Sequence, residues 1–218
     1  MRLLFIIIFL LTLQVSSGQN TNRINVTVSP IVKSKDNSSP SNTDSIAITN
    51  LKFYLTKFSL TKSQETVWQE ENSSHLIDIA NPKSLDFALN LSKNIDFDAI
   101  HFLLGTDSLT NVSGVMGGDL DPTKGMYWAW NSGYINFKLE GENNTVPFEF
   151  HLGGYAPPFQ TVQKIKLKTD SKNNITIELD VLKFLKQLDL TTQKKIMSPG
   201  KEAQQLAIML STLFSIRE

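Results

Sequence analysis

The stretch YINFKLEGENNTVPFEFHLGG, residues 134–154, decides the fold. Ile135, Phe137 and Leu139 alternate with Tyr134, Asn136, Lys138 and Glu140, and Val146, Phe148, Phe150 and Leu152 alternate with Glu149 and His151. Successive side chains of an extended chain point to opposite faces, so each run predicts a strand with one face buried. The GENN cluster between them is turn chemistry. The same period of two recurs at Ile24, Val26 and Val28, at Ile100, Phe102 and Leu104, and at Ile175, Ile177, Leu179 and Val181. LKFYLTKFSL, residues 51–60, changes phase between Leu55 and Phe58, as a β-bulge or two successive short strands would. Turn clusters such as SKDNSSPSNTDS, EENSS, NPKS, YAPP and DSKNN punctuate the runs. Short alternating strands with this punctuation predict an all-β protein, an antiparallel β-sandwich. The end differs. After Ser198-Pro199-Gly200, the residues Ala203, Leu206, Leu210, Leu213 and Phe214 follow helical spacing, which predicts a C-terminal α-helix docked on the sandwich. A shorter helix is expected in VLKFLKQL, with Val181, Leu182 and Leu185 inward.

Composition narrows the function. Lys plus Arg and Asp plus Glu both number 21 in 218 residues, so the chain lacks the basic excess that drives binding to phosphate backbones. Nucleic acid is excluded as an expected partner. The absence of cysteine removes disulfides, thiolate metal sites and cysteine nucleophiles together. Any imidazole chemistry rests on His75, His101 or His151. At the N-terminus, Met1 and Arg2 precede the apolar run from Leu3 to Leu13, and small residues follow at Ser16 and Gly18. That run is too short to span a bilayer and suits a signal peptide over residues 1–18, cleaved after Gly18. The expectation is an exported single domain over 19–218, with no membrane anchor after processing.

GTDSLTNVSGVMGGDLDPTKGMYWAWNSG, residues 105–133, breaks the pattern. Long ordered loops without alternation are often functional. Asp107, Asp119 and Asp121 within it suit either a calcium ion or ordinary turn chemistry. Trp128 and Trp130 share one face if MYWAW is extended, as a core layer or as a platform for stacking sugars. His151, beside Gly153 and Gly154, lies on the polar face of its strand, and His101 stands out of phase with Ile100, Phe102 and Leu104. Two such histidines near one loop suggest a soft-metal site, against the plainer reading of solvated strand residues. His75 reads as surface between loop and strand. No Gly-x-Ser-x-Gly elbow and no phosphate-binding glycine motif is present, so an enzyme is not expected.

HFLLGTDSLTNVSGVMGGDLDPTKGMYWAWNSGYINFKLEG, followed by FEFHLGGY and MSPGKEAQQLAIMLSTLFSI, resembles the MbnP-like family, named for a copper-binding protein of methanobactin operons. LKFYLTKFSL and HLIDIANPKS resemble its early strands. The cysteine-free form looks like the branch common in Bacteroidetes-type bacteria. The resemblance implies a periplasmic or secreted β-sandwich that binds copper, through histidines and a kynurenine made from a tryptophan. It also implies a partner that carries out this oxidation, a di-haem enzyme resembling a cytochrome c peroxidase. By position, His151 matches the family's F-H-x-G-G histidine, and Trp128 and Trp130 match its W-x-W pair. Where another branch has Asn-His, this chain has Asn111-Val112, and His101 is a candidate substitute. The expected function is copper storage, scavenging or delivery. The alternative is a non-metal module that binds a protein or glycan through the long loop.

Overall fold

The alternating runs become strands, and their apolar faces meet. The computed structural model describes residues 22–33, 46–170 and 173–217, so the expected signal peptide lies outside the described residues. The first strands are β1 (Asn22–Pro30), β2 (Ile46–Lys62), β3 (Glu65–Gln69), β4 (Ser74–Asp78), β5 (Asp86–Leu91) and β6 (Ala99–Leu104). Helix α1 (Ser108–Val112) opens the long loop, which leads to β7 (Tyr127–Trp128) and the hairpin of β8 (Gly133–Asn143) and β9 (Val146–Gly153). Then come β10 (Gln163–Lys168), β11 (Asn174–Leu179), α2 (Val181–Lys186), β12 (Lys195–Ile196), α3 (Lys201–Ser211) and β13 (Phe214–Arg217).

Two sheets enclose the core. The smaller runs β13-β11-β1-β5; the larger runs β10-β6-β2-β8-β9-β12, with β3 and β4 also paired to β2 and β7 to β8. Ile24, Val26, Ile175 and Ile177 from the smaller sheet meet Phe53, Phe137, Leu139, Phe148 and Phe150 from the larger in one buried cluster. Most ladders are antiparallel as expected, but β1 pairs with β11 and β12 with β9 in parallel. Alternation records which face is buried and says nothing about the direction of the neighbouring strand, so these two pairings are not written in it. The phase change in β2 is a bulge. Register against β6 shifts between Thr56 and Ser59, and Lys57 takes a left-handed φ of 56° there.

Both helices form where expected. Asp180 caps α2 by accepting from the Lys183 backbone N–H at 2.8 Å, and Val181, Leu182, Phe184 and Leu185 are buried. Helix α3 buries Ala203, Leu206, Ala207 and Leu210 and packs against β9 and β10. It is shorter than its apolar spacing predicts. The helix stops at Ser211, and Phe214 begins β13, where it pairs with Leu179 of β11. Leu213 and Phe214 are buried as expected, but the open edge of β11 draws the chain out of the helix.

Candidate functional site

The long loop folds back over the outer face of the larger sheet. Tyr54 lies between Phe53 and Leu55 on β2 and so points away from the main core; with Leu76, Leu120, Met126, Trp128, Tyr134 and Ile135 it forms a second buried cluster. The Tyr54 hydroxyl donates to the Asp119 carbonyl at 3.0 Å. Burial, with the neighbouring Tyr134, Asp119 and Asp121, holds the Tyr54 hydroxyl well above the ordinary tyrosine range, so it stays a donor. The Tyr134 hydroxyl accepts from the Met116 N–H at 3.1 Å and donates to the Leu120 carbonyl at 3.0 Å.

Two buried amides complete the anchorage. Asn111 accepts from the Tyr134 N–H at 2.8 Å and donates to Thr106 Oγ1 at 2.9 Å and to the Asp107 carbonyl at 2.9 Å. Asn136 accepts from the Thr106 N–H at 2.9 Å and donates to Thr161 Oγ1 at 2.9 Å. In sequence Asn111 is notable only for its place beside Val112, and the anchoring role of both amides is missed. Only the folded loop brings them together.

The three aspartates serve the backbone. Asp107 caps α1 through Thr110, Asp121 caps the turn Pro122–Lys124 through Thr123, and Asp119 accepts from the Leu76 N–H while pairing with Lys124 at 2.6 Å. The geometry therefore favours turn chemistry over calcium. No group of three or more His, Asp or Glu side chains suited to a metal occurs among the described residues.

The tryptophans are neighbours with different surroundings. MYWAW is not one extended strand: β7 ends at Trp128, and residues 129–132 turn back into β8. Trp128 is 6 % exposed and Trp130 66 %, with ring centroids 5.4 Å apart. Trp128 lies over Gly153, two residues beyond His151 on the same face of β9. Gly133, paired with Trp128, sits beside Asn111, so the exposed Val112 lies next to the same region.

His151 points away from the aromatic core, as its parity predicts, yet is only 5 % exposed. Its Nε2 lies 2.6 Å from Oε1 of Glu140. The other oxygen of Glu140 accepts from Asn50 Nδ2 at 2.8 Å, and the Lys138 ammonium stands 3.4 Å from Oε1. Burial pushes Glu140 upward, but the hydrogen bonds from Asn50 and His151 and the Lys138 charge together bring it below the usual carboxylate range. Burial, aided by Lys138, holds His151 below the ordinary imidazole value despite the pull of Glu140. Glu140 was also missed in the sequence, although the hairpin register alone sets it diagonal to His151.

The other histidines lie elsewhere. His101 pairs with Ser59 of β2, whereas His151 pairs through Lys138 with Lys52 of β2. Those two positions are seven residues apart on β2 and face opposite neighbours, a separation of roughly 20 Å at the usual strand rise. The structure does not bring His101 to His151. His101 contacts Thr61 Oγ1 at 3.0 Å, and burial followed by the Lys166 charge lowers its pKa. His75 is not a surface loop residue: it lies in β4, bonds Glu70 at 2.9 Å and stacks on Phe87 at 3.9 Å.

Comparison with known proteins bears on the family and the fold. A family model described as MbnP matches residues 11–198. No curated protein matches the chain. Among solved structures, MbnP from Methylosinus trichosporium superposes with a TM-score of 0.56 at 14 % identity, over 76 % of this chain and 78 % of that one. At that identity the likeness speaks for the fold. With the family model spanning most of the sequence and the fold agreeing, the chain belongs to the MbnP family.

Proposed function

We propose that this protein is an exported copper-binding protein that carries the ion as cargo, for storage, scavenging or delivery, and is not an enzyme. One observation carries the reading: His151 is a buried imidazole whose Nε2 is held by a carboxylate, and Trp128 lies over Gly153, two residues along the same strand. Neutral imidazole suits copper, and the burial that disfavours the protonated ring lowers the proton cost of binding. Family membership supports a copper-related role. A single imidazole is an incomplete ligand set, and Val112 stands where another branch has histidine. Oxidation of a tryptophan to kynurenine by a di-haem partner would add an amine and a carbonyl. Trp130 is the residue of the pair that a partner protein can reach.

The test is anaerobic dialysis against Cu(I), followed by metal analysis, on protein co-expressed with its di-haem partner. The expected result is retained copper, lost in His151→Ala at unchanged melting temperature and strengthened by Val112→His. Absence of retained copper in the parent protein sinks the reading. A second reading has its own observation. Leu109, Val112, Val115, Met116, Trp130 and Phe159 are all exposed, and α1, the turn after β7 and the Tyr155 loop are tied together by Asn111, Gly133 and Ser108. Such a concentration of exposed apolar side chains marks an interaction surface, and it is where a non-metal partner would bind.

A further inference from the structure

We propose that Glu140 is a positioning residue that fixes His151 in the Nε2–H tautomer, so that Nδ1 is the nitrogen offered to a metal. The inference deepens the copper reading and rests on it for the role of Nδ1. Its geometric part stands on the network around Glu140.

The Nε2–Oε1 separation of 2.6 Å is short for a nitrogen–oxygen hydrogen bond and is typical of the charge-assisted kind. Glu140 receives Asn50 Nδ2 on its other oxygen, and Lys138 approaches the first. A carboxylate so surrounded is an acceptor only, so the shared proton belongs to Nε2. In a neutral imidazole the second nitrogen then holds the lone pair.

The three partners come from three adjacent strands. Asn50 is on β2, Lys138 and Glu140 are on β8, and His151 is on β9. Ladder hydrogen bonds hold these backbones, which gives the carboxylate little freedom to swing away. Glu149, directly opposite Glu140, is tied to Lys195 at 2.7 Å and does not compete for the ring. Metal-binding histidines commonly donate their remote N–H to a carboxylate, which orients the ring and raises its basicity. The strand hairpin of β8 and β9 holds His151 and Glu140 in this arrangement.

The experiment is long-range proton–nitrogen correlation on ¹⁵N-labelled full-length protein, first metal-free and then with Cu(I) added anaerobically. Metal-free protein is expected to show His151 as the Nε2–H tautomer. Glu140→Ala should release the ring into mixed tautomers with unchanged circular dichroism, and Glu140→Gln, which keeps an acceptor oxygen, should restore it in part. Cu(I) should perturb Nδ1, and its affinity should fall about tenfold to a hundredfold in Glu140→Ala. An Nδ1–H tautomer in the parent protein, an unchanged tautomer in Glu140→Ala, or Cu(I) bound through Nε2 overturns the proposal. The parent measurement decides even if Glu140→Ala does not fold. If the tautomers behave as expected and Cu(I) disturbs neither nitrogen, the copper reading falls while the hold of Glu140 on the ring stands.

Discussion

A Cβ on Gly153 would lie 2.6 Å from Cζ3 of Trp128 and 2.8 Å from the Tyr134 carbonyl oxygen. The glycine lets the six-membered ring of the indole approach the strand that carries His151. Gly153→Ala should therefore displace Trp128 and cost about 1–3 kcal/mol, as overpacking does. Urea unfolding measures the loss, and a red-shifted tryptophan emission reports the exposed ring. Asp107 has a different residue-scale role. Its Oδ1 accepts from the Thr110 N–H at 2.8 Å and from the Thr110 hydroxyl at 2.6 Å, and Lys57 lies 3.4 Å from its other oxygen. Burial pushes this carboxyl up, but Thr110 and Lys57 together hold it below the usual carboxylate range. A folded-state pKa below the unfolded one gives stability that is present above the unfolded value and lost as pH falls through the folded one. Asp107→Ala should cost about 1 kcal/mol at neutral pH, as loss of a helix cap does. Denaturation curves of parent and variant should converge as pH falls below the ordinary carboxylate range. A difference that persists there would mean that the carboxylate charge is not what stabilises the cap.

At the scale of elements, α3 and β13 act as one closing unit. Leu210 is wholly buried beneath the helix, and Phe214, four residues on, is buried in the strand that extends the smaller sheet. Helical spacing was legible through Leu213 and Phe214 because both are apolar and in phase. The point at which the chain leaves the helix was not, because it depends on a strand edge contributed by residues 174–179. Leu210→Ala should cost about 2–5 kcal/mol. If the two elements are coupled, amide exchange at β11 and β13 will accelerate together in this variant; acceleration confined to α3 would show that the helix is an independent lid. The long loop is the converse case. Its irregular sequence announced that something other than alternation orders it, but the ordering groups, Asn111, Asn136 and Tyr134, are identifiable only through their partners across the fold.

For the whole molecule, strand order decides which candidate residues can cooperate. The pairing of β6 and β8 on opposite sides of β2 keeps His101 away from His151. His101→Ala is accordingly expected to leave Cu(I) binding unchanged, as read by competition with a chromophoric chelator; a weakened affinity would require the two histidines to share an ion. The local sequence by itself determined most strand faces, the bulge in β2, both expected helices and the outward direction of His151. Each follows from side-chain period or backbone propensity over a few residues, and burial rewards that pattern whichever neighbour covers it. The same alternation misplaced Tyr134, which is buried, Val146, which is exposed, and Ile135, which joins the second cluster past a register shift in β8. Only the tertiary structure decided the two parallel ladders, the end of α3, the burial of Trp128 against the exposure of Trp130, and the grip of Glu140 on His151. These depend on which strands lie side by side, and contacts between residues distant in sequence leave no period in the chain to read.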